Sequence, residues 1–360
     1  MSALTERLRA LIANNGPISV SDYMALCLFD PEHGYYTTRE PFGQTGDFTT
    51  APETSQMFGE LIGAWVLATW QALGAPLSVT LAEIGPGRGT LMKDMLRTLR
   101  QLQPGFVEQA KIALVETSPR LRDIQRETLV SFNLSITWYD DVGQLPDQPL
   151  ILIGNELFDA VPIRQYARIG GEWRERLVAL NEREQLAFVA GPGTLDATLL
   201  PKDAGQAPEG AIVELAPARS AIMAAIAAHL AAHGGAGLFL DYGYFRPAVG
   251  DTLQALRKHA FADVLAEPGE ADLTAHVDFA ALAAVARSAG LDAHLSTQGD
   301  FLLALGLLQR AGQLGASLDE AGQQAIRDAV ERLAGPDQMG ALFKVLAVTP
   351  RGLAPAGFER

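Results

Sequence analysis

In the middle of the chain, short continuous apolar runs alternate with segments in which apolar residues recur at helical spacing. This pattern predicts alternating strands and helices. Apolar runs predict strands at 79–84, 111–116, 135–139 and 150–155, with helices at 90–102 and 118–130 between them. Such alternation is typical of a mostly parallel sheet with right-handed crossovers. The pattern therefore predicts an α/β fold for this part of the chain.

The regions before and after this core follow different patterns. Helices are expected at 2–14, 19–28 and 54–73, and a long aromatic and glycine-rich stretch runs from Asp30 to Glu53. After Asn155, antiparallel strands are expected at 163–169, 172–180 and 185–190, with Gly170-Gly171 as a hairpin turn. In the remaining chain, the apolar spacing predicts helices at 218–233, 278–289, 301–311 and 318–333, and strands at 237–242, 291–297 and 342–349.

These patterns divide the chain into four segments. An N-terminal extension of helices and lid covers 1–75, and the first half of the sheet domain covers 76–160. An inserted antiparallel subdomain follows at 161–235, and the second half of the sheet domain covers 236–360. We expect the insertion to be smaller than a second full domain.

Composition limits the classes of partner. The formal net charge is −14, which argues against nucleic acid because phosphate binding needs a basic surface. Cys27 is the only cysteine, which excludes an intrachain disulfide and a thiolate zinc site. The histidines lack ligand spacing, so no metal is expected.

The sequence also predicts a location. The most apolar stretches, 61–73 and 221–240, are interrupted by polar residues or glycine and are too short to span a membrane. The N-terminal pattern is neither that of a signal peptide nor that of a transit peptide. We therefore expect a cytoplasmic protein.

The most specific chemistry lies between the first predicted strand and its helix. The strand ends in Glu83, and Gly85, Gly87 and Gly89 follow at alternate positions. Glycine allows the backbone to turn sharply and to approach a ligand closely. A dinucleotide fingerprint has the spacing G-x-G-x-x-G, whereas here the third glycine comes one residue earlier.

The acid before this turn decides between ligands. Glu83 would repel a pyrophosphate, but it suits a cationic amine. We predict that the loop binds S-adenosylmethionine (SAM), whose methionyl ammonium and sulfonium are both positive. A glycine turn without any ligand is the alternative.

Further acids follow the next two predicted strands. Glu116 ends the second strand, where a carboxylate can hold ribose hydroxyls. Enzymes that use NAD have such an acid too, so Glu116 alone does not separate the two cofactors. Asp140 and Asp141 follow the third strand and are candidates for binding the adenine amino group, with a solvated turn as the alternative.

Eight motifs occur in order over nearly the whole chain. They are Asp30-Pro31-x-x-Gly34-Tyr35-Tyr36, Gly46-Asp47-Phe48-x-Thr50-Ala51-Pro52-Glu53, Glu83-Ile84-Gly85-Pro86-Gly87-x-Gly89-Thr90-Leu91, Val115-Glu116-x-Ser118-Pro119, Asn155-Glu156-x-x-Asp159-Ala160-x-Pro162, Asp241-Tyr242-Gly243, Asp272-Leu273-Thr274-Ala275-His276-Val277-Asp278-Phe279 and Met339-Gly340-x-x-Phe343-Lys344. This series resembles the MidA (DUF185) family of SAM-dependent methyltransferases.

The resemblance implies both a fold and an activity. It implies a class I methyltransferase, with a Rossmann-like, mostly parallel seven-stranded sheet, an N-terminal extension and an inserted antiparallel subdomain. Mitochondrial members of the family are complex I assembly factors that methylate a protein arginine. We therefore expect a protein arginine N-methyltransferase that acts on a respiratory complex I type subunit. The alternatives are a small-molecule methyltransferase, a non-catalytic SAM-binding assembly chaperone and, least favoured, an NAD-dependent oxidoreductase.

In class I methyltransferases the residues after the fourth strand face the methyl group, which makes Glu156 and Asp159 the catalytic candidates. If a helix begins at Leu157, the two acids share one face and can hold a guanidinium together. A helix-capping role is the alternative. Asn155 is a candidate for contacting the cofactor.

Five other residues are weaker candidates for substrate binding or for a lid. Asp47 and Glu53 belong to a segment expected to fold over the cofactor and exclude water, or to pack as a structural loop. Asp241 and Tyr242, at the end of the fifth strand, are candidates for lining the substrate mouth, with core packing as the alternative for Tyr242. His276 is a candidate base, although a lone histidine is more often structural.

Overall fold

A computed structural model of the chain describes residues 2–38, 50–257 and 260–358. Its helices are α1 (Ala3–Asn15), α2 (Val20–Phe29), α3 (Tyr35–Thr38), α4 (Ala51–Thr54), α5 (Gln56–Ala72), α6 (Thr90–Leu102), α7 (Pro104–Gln109), α8 (Pro119–Leu129), α9 (Pro217–His233), α10 (Phe279–Ser288), α11 (Gln298–Ala304), α12 (Leu307–Gly315), α13 (Glu320–Ala334) and α14 (Met339–Leu342). Several begin at a serine cap, for example Ser19, whose hydroxyl accepts from the Asp22 N–H, and Ser118, whose hydroxyl accepts from the Leu121 N–H.

The strands number sixteen in the described residues. They are β1 (Ile18–Ser19), β2 (Thr80–Ile84), β3 (Lys111–Val115), β4 (Ile136–Tyr139), β5 (Leu150–Asn155), β6 (Arg164–Ile169), β7 (Glu172–Leu180), β8 (Leu186–Thr194), β9 (Ile212–Leu215), β10 (Gly235–Tyr244), β11 (Gln254–Arg257), β12 (Ala260–Ala262), β13 (Asp272–Thr274), β14 (Val277–Asp278), β15 (Asp292–Thr297) and β16 (Phe343–Thr349).

The chain divides into two compact units, each made of discontinuous segments. The first contains the described residues of Met1–Phe48, Phe158–Ala221 and Arg246–His276. The second contains those of Thr49–Leu157, Ile222–Phe245 and Val277–Arg360. We call them the antiparallel unit and the parallel unit after their sheets.

The sheet of the parallel unit confirms the predicted α/β fold. Its strand order is β15-β16-β10-β5-β2-β3-β4, with the short β14 added beside β10. The five strands from β10 to β4 are parallel, whereas β16 is antiparallel to both β10 and β15. Every residue of β2 is buried, as expected for a parallel strand covered on both faces.

The register of this sheet brings the ends of four strands to one edge. Ile84 of β2 pairs with Val115 of β3 and with Gly154 of β5, and Val115 pairs with Tyr139 of β4. In parallel sheets with helices on both faces, ligands bind beyond this carboxyl edge. The acids that follow these strands therefore lie along the edge where a ligand is expected.

The antiparallel unit contains two smaller sheets. One has the order β1-β7-β6-β9 with β8 paired to β7, and the other has the order β12-β11-β13. Gly170 and Gly171 form the predicted hairpin turn between β6 and β7, with φ values of +61° and +81°. The core of this unit includes Leu4, Leu8 and Ile12, which follow helical spacing along α1.

One predicted helix was wrong, and several short strands were missed. The helix expected at 301–311 is two helices, because Gly306 has φ +96° and breaks the turn between α11 and α12. The strands β1, β9, β11, β12, β13 and β14 were not expected, because they are short and lack clear alternation. Within the described ranges, no helix combines the length and hydropathy that a membrane crossing requires.

Candidate active site

The glycine loop joins β2 to α6 in a backbone conformation that explains its composition. Gly85, Gly87 and Gly89 have φ values of +65°, +50° and +80°. Residues with a Cβ rarely adopt this region, so glycine is strongly favoured at all three positions. The Gly85 N–H donates to the Val115 carbonyl at 3.0 Å, which fixes the start of the loop to the end of β3.

Glu83 is buried beneath this loop and is only partly satisfied. Its side chain accepts from the backbone N–H of Met92 in the first turn of α6. Its Oε2 atom has no hydrogen-bond partner among the residues that the structure describes. Burial raises the pKa of Glu83 to about 8, opposed by the bond from Met92. A buried carboxylate oxygen without a donor is costly unless a ligand supplies one.

Glu116 and Asn155 lie at the same edge of the sheet. Oε1 of Glu116 accepts from the Ser118 N–H at 2.8 Å, and Oε2 accepts from Gln125 Nε2 at 3.3 Å. Burial raises the pKa of Glu116, and these hydrogen bonds oppose that shift. Oδ1 of Asn155 is buried and has no hydrogen-bond partner within the described parts of the chain.

Asp140 and Asp141 have structural contacts. Asp140 is exposed and forms an ion pair with Arg122 at 2.6 Å. Oδ1 of Asp141 accepts from the Gly143 N–H at 2.7 Å and caps a short turn. Such contacts are typical of a solvated turn, and binding of adenine by these residues stays a prediction.

Glu156 follows β5 directly and has an unusual backbone. Its φ is +50°, which is uncommon for a residue with a side chain and often marks functional sites. Its N–H donates to the Leu240 carbonyl at 2.8 Å. Its Oε1 atom accepts from the Ala51 N–H and from Asn155 Nδ2, both at 3.1 Å.

Those contacts make α4 part of the site within the parallel unit. The first N–H of α4, at Ala51, points to Glu156. At the other end of α4, Oε1 of Glu53 accepts from the Thr90 hydroxyl at 2.6 Å, directly after the glycine loop. The helix thus connects the end of β5 to the start of α6. Asp47, the other residue predicted for the lid, lies outside the described residues.

The helix on which a shared face for Glu156 and Asp159 would depend does not form after β5. No helix begins at Leu157, since 156–163 is irregular and contains only a turn from Val161 N–H to the Phe158 carbonyl. Glu156 belongs to the parallel unit and Asp159 to the antiparallel unit, because the chain passes from one to the other after Leu157. The catalytic roles of both acids stay predictions.

Asp159 and His276 are held through their backbones within the antiparallel unit. The Asp159 carbonyl accepts from the Ala275 N–H at 3.1 Å and from Arg219 Nη2 at 3.0 Å. The His276 N–H donates to the Thr252 hydroxyl at 3.0 Å, and its carbonyl accepts from Arg219 Nη1 at 2.7 Å. Arg219 was missed in the sequence because its partners are backbone carbonyls distant along the chain.

Asp241 and Tyr242 lie in the last four residues of β10, inside the parallel unit. Asp241 is fully buried, and its Oδ1 accepts from the Tyr242 N–H at 2.9 Å. The Tyr242 ring meets the Phe343 ring edge-on, with centroids 5.6 Å apart. This contact is typical of packing, and a role in substrate binding stays a prediction.

Comparison with known proteins identifies the family. Residues 61–297 match the model of the family described as "Putative S-adenosyl-L-methionine-dependent methyltransferase". The chain belongs to this family of methyltransferases. It is 35% identical over 97% of its length to the mitochondrial protein arginine methyltransferase NDUFAF7 of Xenopus laevis, covering 85% of that protein. The human protein of the same name is 32% identical, with 94% of this chain and 81% of that protein covered.

A solved structure supports the same family. A protein from Burkholderia thailandensis bound to S-adenosyl-homocysteine has a TM-score of 0.84 and 31% identity, with 98% of this chain and 93% of that one covered. The expected resemblance and the expected cofactor are therefore confirmed: the methyltransferase uses SAM. Within the described residues, no group of three or more histidine, cysteine or acidic side chains is arranged to hold a metal ion.

The residues of the methyltransferase fit this cofactor. Glu83 Oε2 and Asn155 Oδ1 are buried acceptors that lack donors in the described structure, and both belong to the carboxyl edge of the sheet. An ammonium group is a pure donor and would satisfy such acceptors. The three glycines leave backbone without Cβ atoms beside Glu83.

One further residue of this region was missed in the sequence. Gln125 is fully buried on α8, between Leu121 and Leu129 on the same face of the helix. A glutamine in the centre of an otherwise apolar stripe is a signal that could have identified it, because buried amides need partners.

Proposed function

We propose that this methyltransferase methylates an arginine side chain of a protein, and that the protein is a respiratory complex I type subunit. The observation that carries the proposal is Glu156, a strained acid directly beyond β5, whose carboxylate is oriented by two N–H donors. The frog and human relatives named as protein arginine methyltransferases support the choice of substrate. The family resemblance of the motifs supports the choice of complex I.

The chemistry explains why an acid is needed. A guanidinium stays protonated and delocalised at neutral pH, so its terminal nitrogens are poor nucleophiles. The Glu156 carboxylate can accept from two N–H groups of the guanidinium and draw the positive charge to that side. The opposite terminal nitrogen then has more electron density for attack.

SAM, when bound, supplies the methyl group on a sulfonium. As the nitrogen–carbon bond forms and the carbon–sulfur bond breaks, the attacking nitrogen loses one proton. A carboxylate beside the guanidinium is a suitable acceptor for that proton. Asn155 and the Ala51 N–H hold Glu156 Oε1 before substrate arrives, so little reorganisation is required.

The test uses SAM with a labelled methyl group and a protein extract of the organism that encodes the chain. We expect a labelled protein band whose hydrolysate contains methylarginine. The Glu156→Gln variant should lose about 100-fold or more of this activity and keep its affinity for S-adenosylhomocysteine. Glu108→Gln, an exposed change on α7, should behave like the wild type.

Three results would contradict the proposal. Label in small molecules would favour a small-molecule methyltransferase, and cofactor binding without any turnover would favour a chaperone. Full activity of Glu156→Gln would exclude the arginine mechanism. The cytoplasmic location expected from the sequence stays a prediction.

A further inference from the structure

The amide of Gln125 connects three elements at the carboxyl edge of the parallel sheet. Its Nε2 atom donates to the Gly87 carbonyl at 2.7 Å and to Glu116 Oε2 at 3.3 Å. Its Oε1 atom accepts from Trp138 Nε1 on β4 at 2.8 Å. One buried side chain therefore contacts the glycine loop, the acid after β3 and the indole of β4.

The chemistry of these partners fixes the orientation of the amide. An indole N–H can only donate, whereas a backbone carbonyl and an ionised carboxylate can only accept. A rotation by 180° about the last side-chain bond would set oxygen against two acceptors and the amide N–H groups against a donor. Because Gln125 has no exposed surface, water cannot compensate for that arrangement.

The positions of the partners connect the two ends of a cofactor site. Gly87 is in the centre of the loop that follows Glu83, where we place the methionyl group. Glu116 is the acid where we place the ribose hydroxyls, and its other oxygen is held by the Ser118 N–H. A neutral amide can hold the Glu116 carboxylate in place and leave its negative charge intact. An arginine or lysine at this position would neutralise that charge.

We propose that Gln125 is a positioning residue that couples the glycine loop to Glu116, so that the methionyl and ribose ends of SAM are bound in one fixed geometry. The inference rests on the cofactor contacts proposed above for Glu83 and Glu116. It adds a residue that need not touch the ligand and that acts through two groups that do.

The test measures the affinity of the full-length protein for S-adenosylhomocysteine by calorimetry. We expect Gln125→Met, which keeps the volume and removes the amide, to weaken binding about tenfold or more. Glu116→Gln should weaken it by a similar factor. The double variant should bind about as weakly as the worse single variant, because each change disrupts the same coupled unit.

Two further variants separate positioning from general stability. Gln148 is a matched control, since its amide binds Ser78 and Thr80 at the amino end of β2. Gln148→Met should lower the melting temperature and leave the affinity unchanged. If Gln125→Met does not fold, Trp138→Phe removes only the donor that fixes Gln125, and it should weaken binding several-fold. In the Gln125 variant, KM for SAM should rise while kcat at saturating SAM changes little.

The outcomes show separately whether the coupling role of Gln125 or the proposed ribose contact of Glu116 is wrong. Fully additive effects of Gln125→Met and Glu116→Gln would overturn the coupling role of Gln125 and leave the cofactor site intact. Unchanged affinity in Glu116→Gln would overturn the proposed ribose contact, and the inference with it. Unchanged affinity in both Gln125→Met and Trp138→Phe would show that the amide is structural only.

Discussion

Two glutamates, one in each unit, show how the same side chain serves structure in one region and ligand binding in another. In the antiparallel unit, Glu214 accepts from Gln165 Nε2 at 2.8 Å, from the Thr252 N–H at 2.9 Å and from the Thr252 hydroxyl at 2.5 Å. In the parallel unit, Glu83 accepts from the Met92 N–H, and its Oε2 has no donor among the described residues. Burial raises the pKa of both groups.

For these two acids, the difference lies in whether the chain itself supplies donors to both carboxylate oxygens, as it does for Glu214 and, among the described residues, does not for Glu83. Glu214 is half-buried, has both oxygens bonded to its own chain, and connects β9 to Thr252 and Gln165. A buried acid with an unused oxygen carries an energetic cost that protonation or a donor from a ligand can offset. Glu83 lies at the edge of a parallel sheet where ligands bind, which is consistent with that role.

The largest effect that we expect from Glu83 is on the free energy of unfolding, which should depend on pH. The pKa of Glu83 is about 8 in the folded chain and near 4.5 when unfolded, so folding favours the protonated form. Its stabilising contribution is complete below pH 4.5 and is lost as pH rises through 8. Without ligand, the wild type should lose up to about 5 kcal/mol relative to Glu83→Gln over this range.

Urea unfolding of both proteins at pH 5 and pH 8 measures this difference. The two free energies of unfolding should be similar at pH 5, and the variant should be the more stable protein at pH 8. Parallel changes in the two proteins would show that Glu83 does not titrate in this range.

A somewhat smaller effect is expected on cofactor affinity. Glu83→Gln removes the negative charge that we place against the methionyl ammonium, so S-adenosylhomocysteine should bind roughly 10- to 100-fold more weakly. Glu214→Gln is the matched control, because it changes a satisfied acid in the other unit and should leave affinity unchanged. Calorimetry at pH 8 checks both, and equal losses in the two variants would remove the distinction drawn between them.

The smallest effect concerns α4. Thr90→Val keeps the shape of the side chain and removes the hydroxyl that donates to Glu53. Because α4 also contacts Glu156, we expect a loss of about 1–2 kcal/mol in catalytic efficiency with little change in melting temperature. Thr98→Val on the same helix, whose hydroxyl bonds only to the Asp94 carbonyl in the contacts described, is the control. Equal activity in the two variants would show that α4 has no part in catalysis.

Much of the parallel unit could be predicted from the sequence. Its strands β2, β3, β4 and β5 begin and end within one residue of the predicted bounds. For β2, β3 and β5 the reason is burial, because buried parallel strands are continuous apolar runs. The glycine loop was predictable for a similar reason, since its three positive φ values permit few residues other than glycine. Local constraints of this kind are encoded in adjacent residues.

Interactions between distant residues could not be predicted in the same way. Arg219 donates to the carbonyls of Asp159 and Ala275, which are 60 and 56 residues away, and no local pattern marks such partners. The break at Gly306 was missed because the apolar spacing continues across it. The sequence identified Glu156 directly after the fourth predicted strand but left open whether a helix follows it, and residues 156–163 are irregular in the structure.

The most direct measurement is a crystal structure of the protein with S-adenosylhomocysteine. The account predicts that the methionyl amino nitrogen lies within hydrogen-bonding distance of Glu83 Oε2 and that the ribose hydroxyls lie against Glu116. A ligand whose amino group binds elsewhere, with Glu83 still contacting Met92 alone, would contradict it.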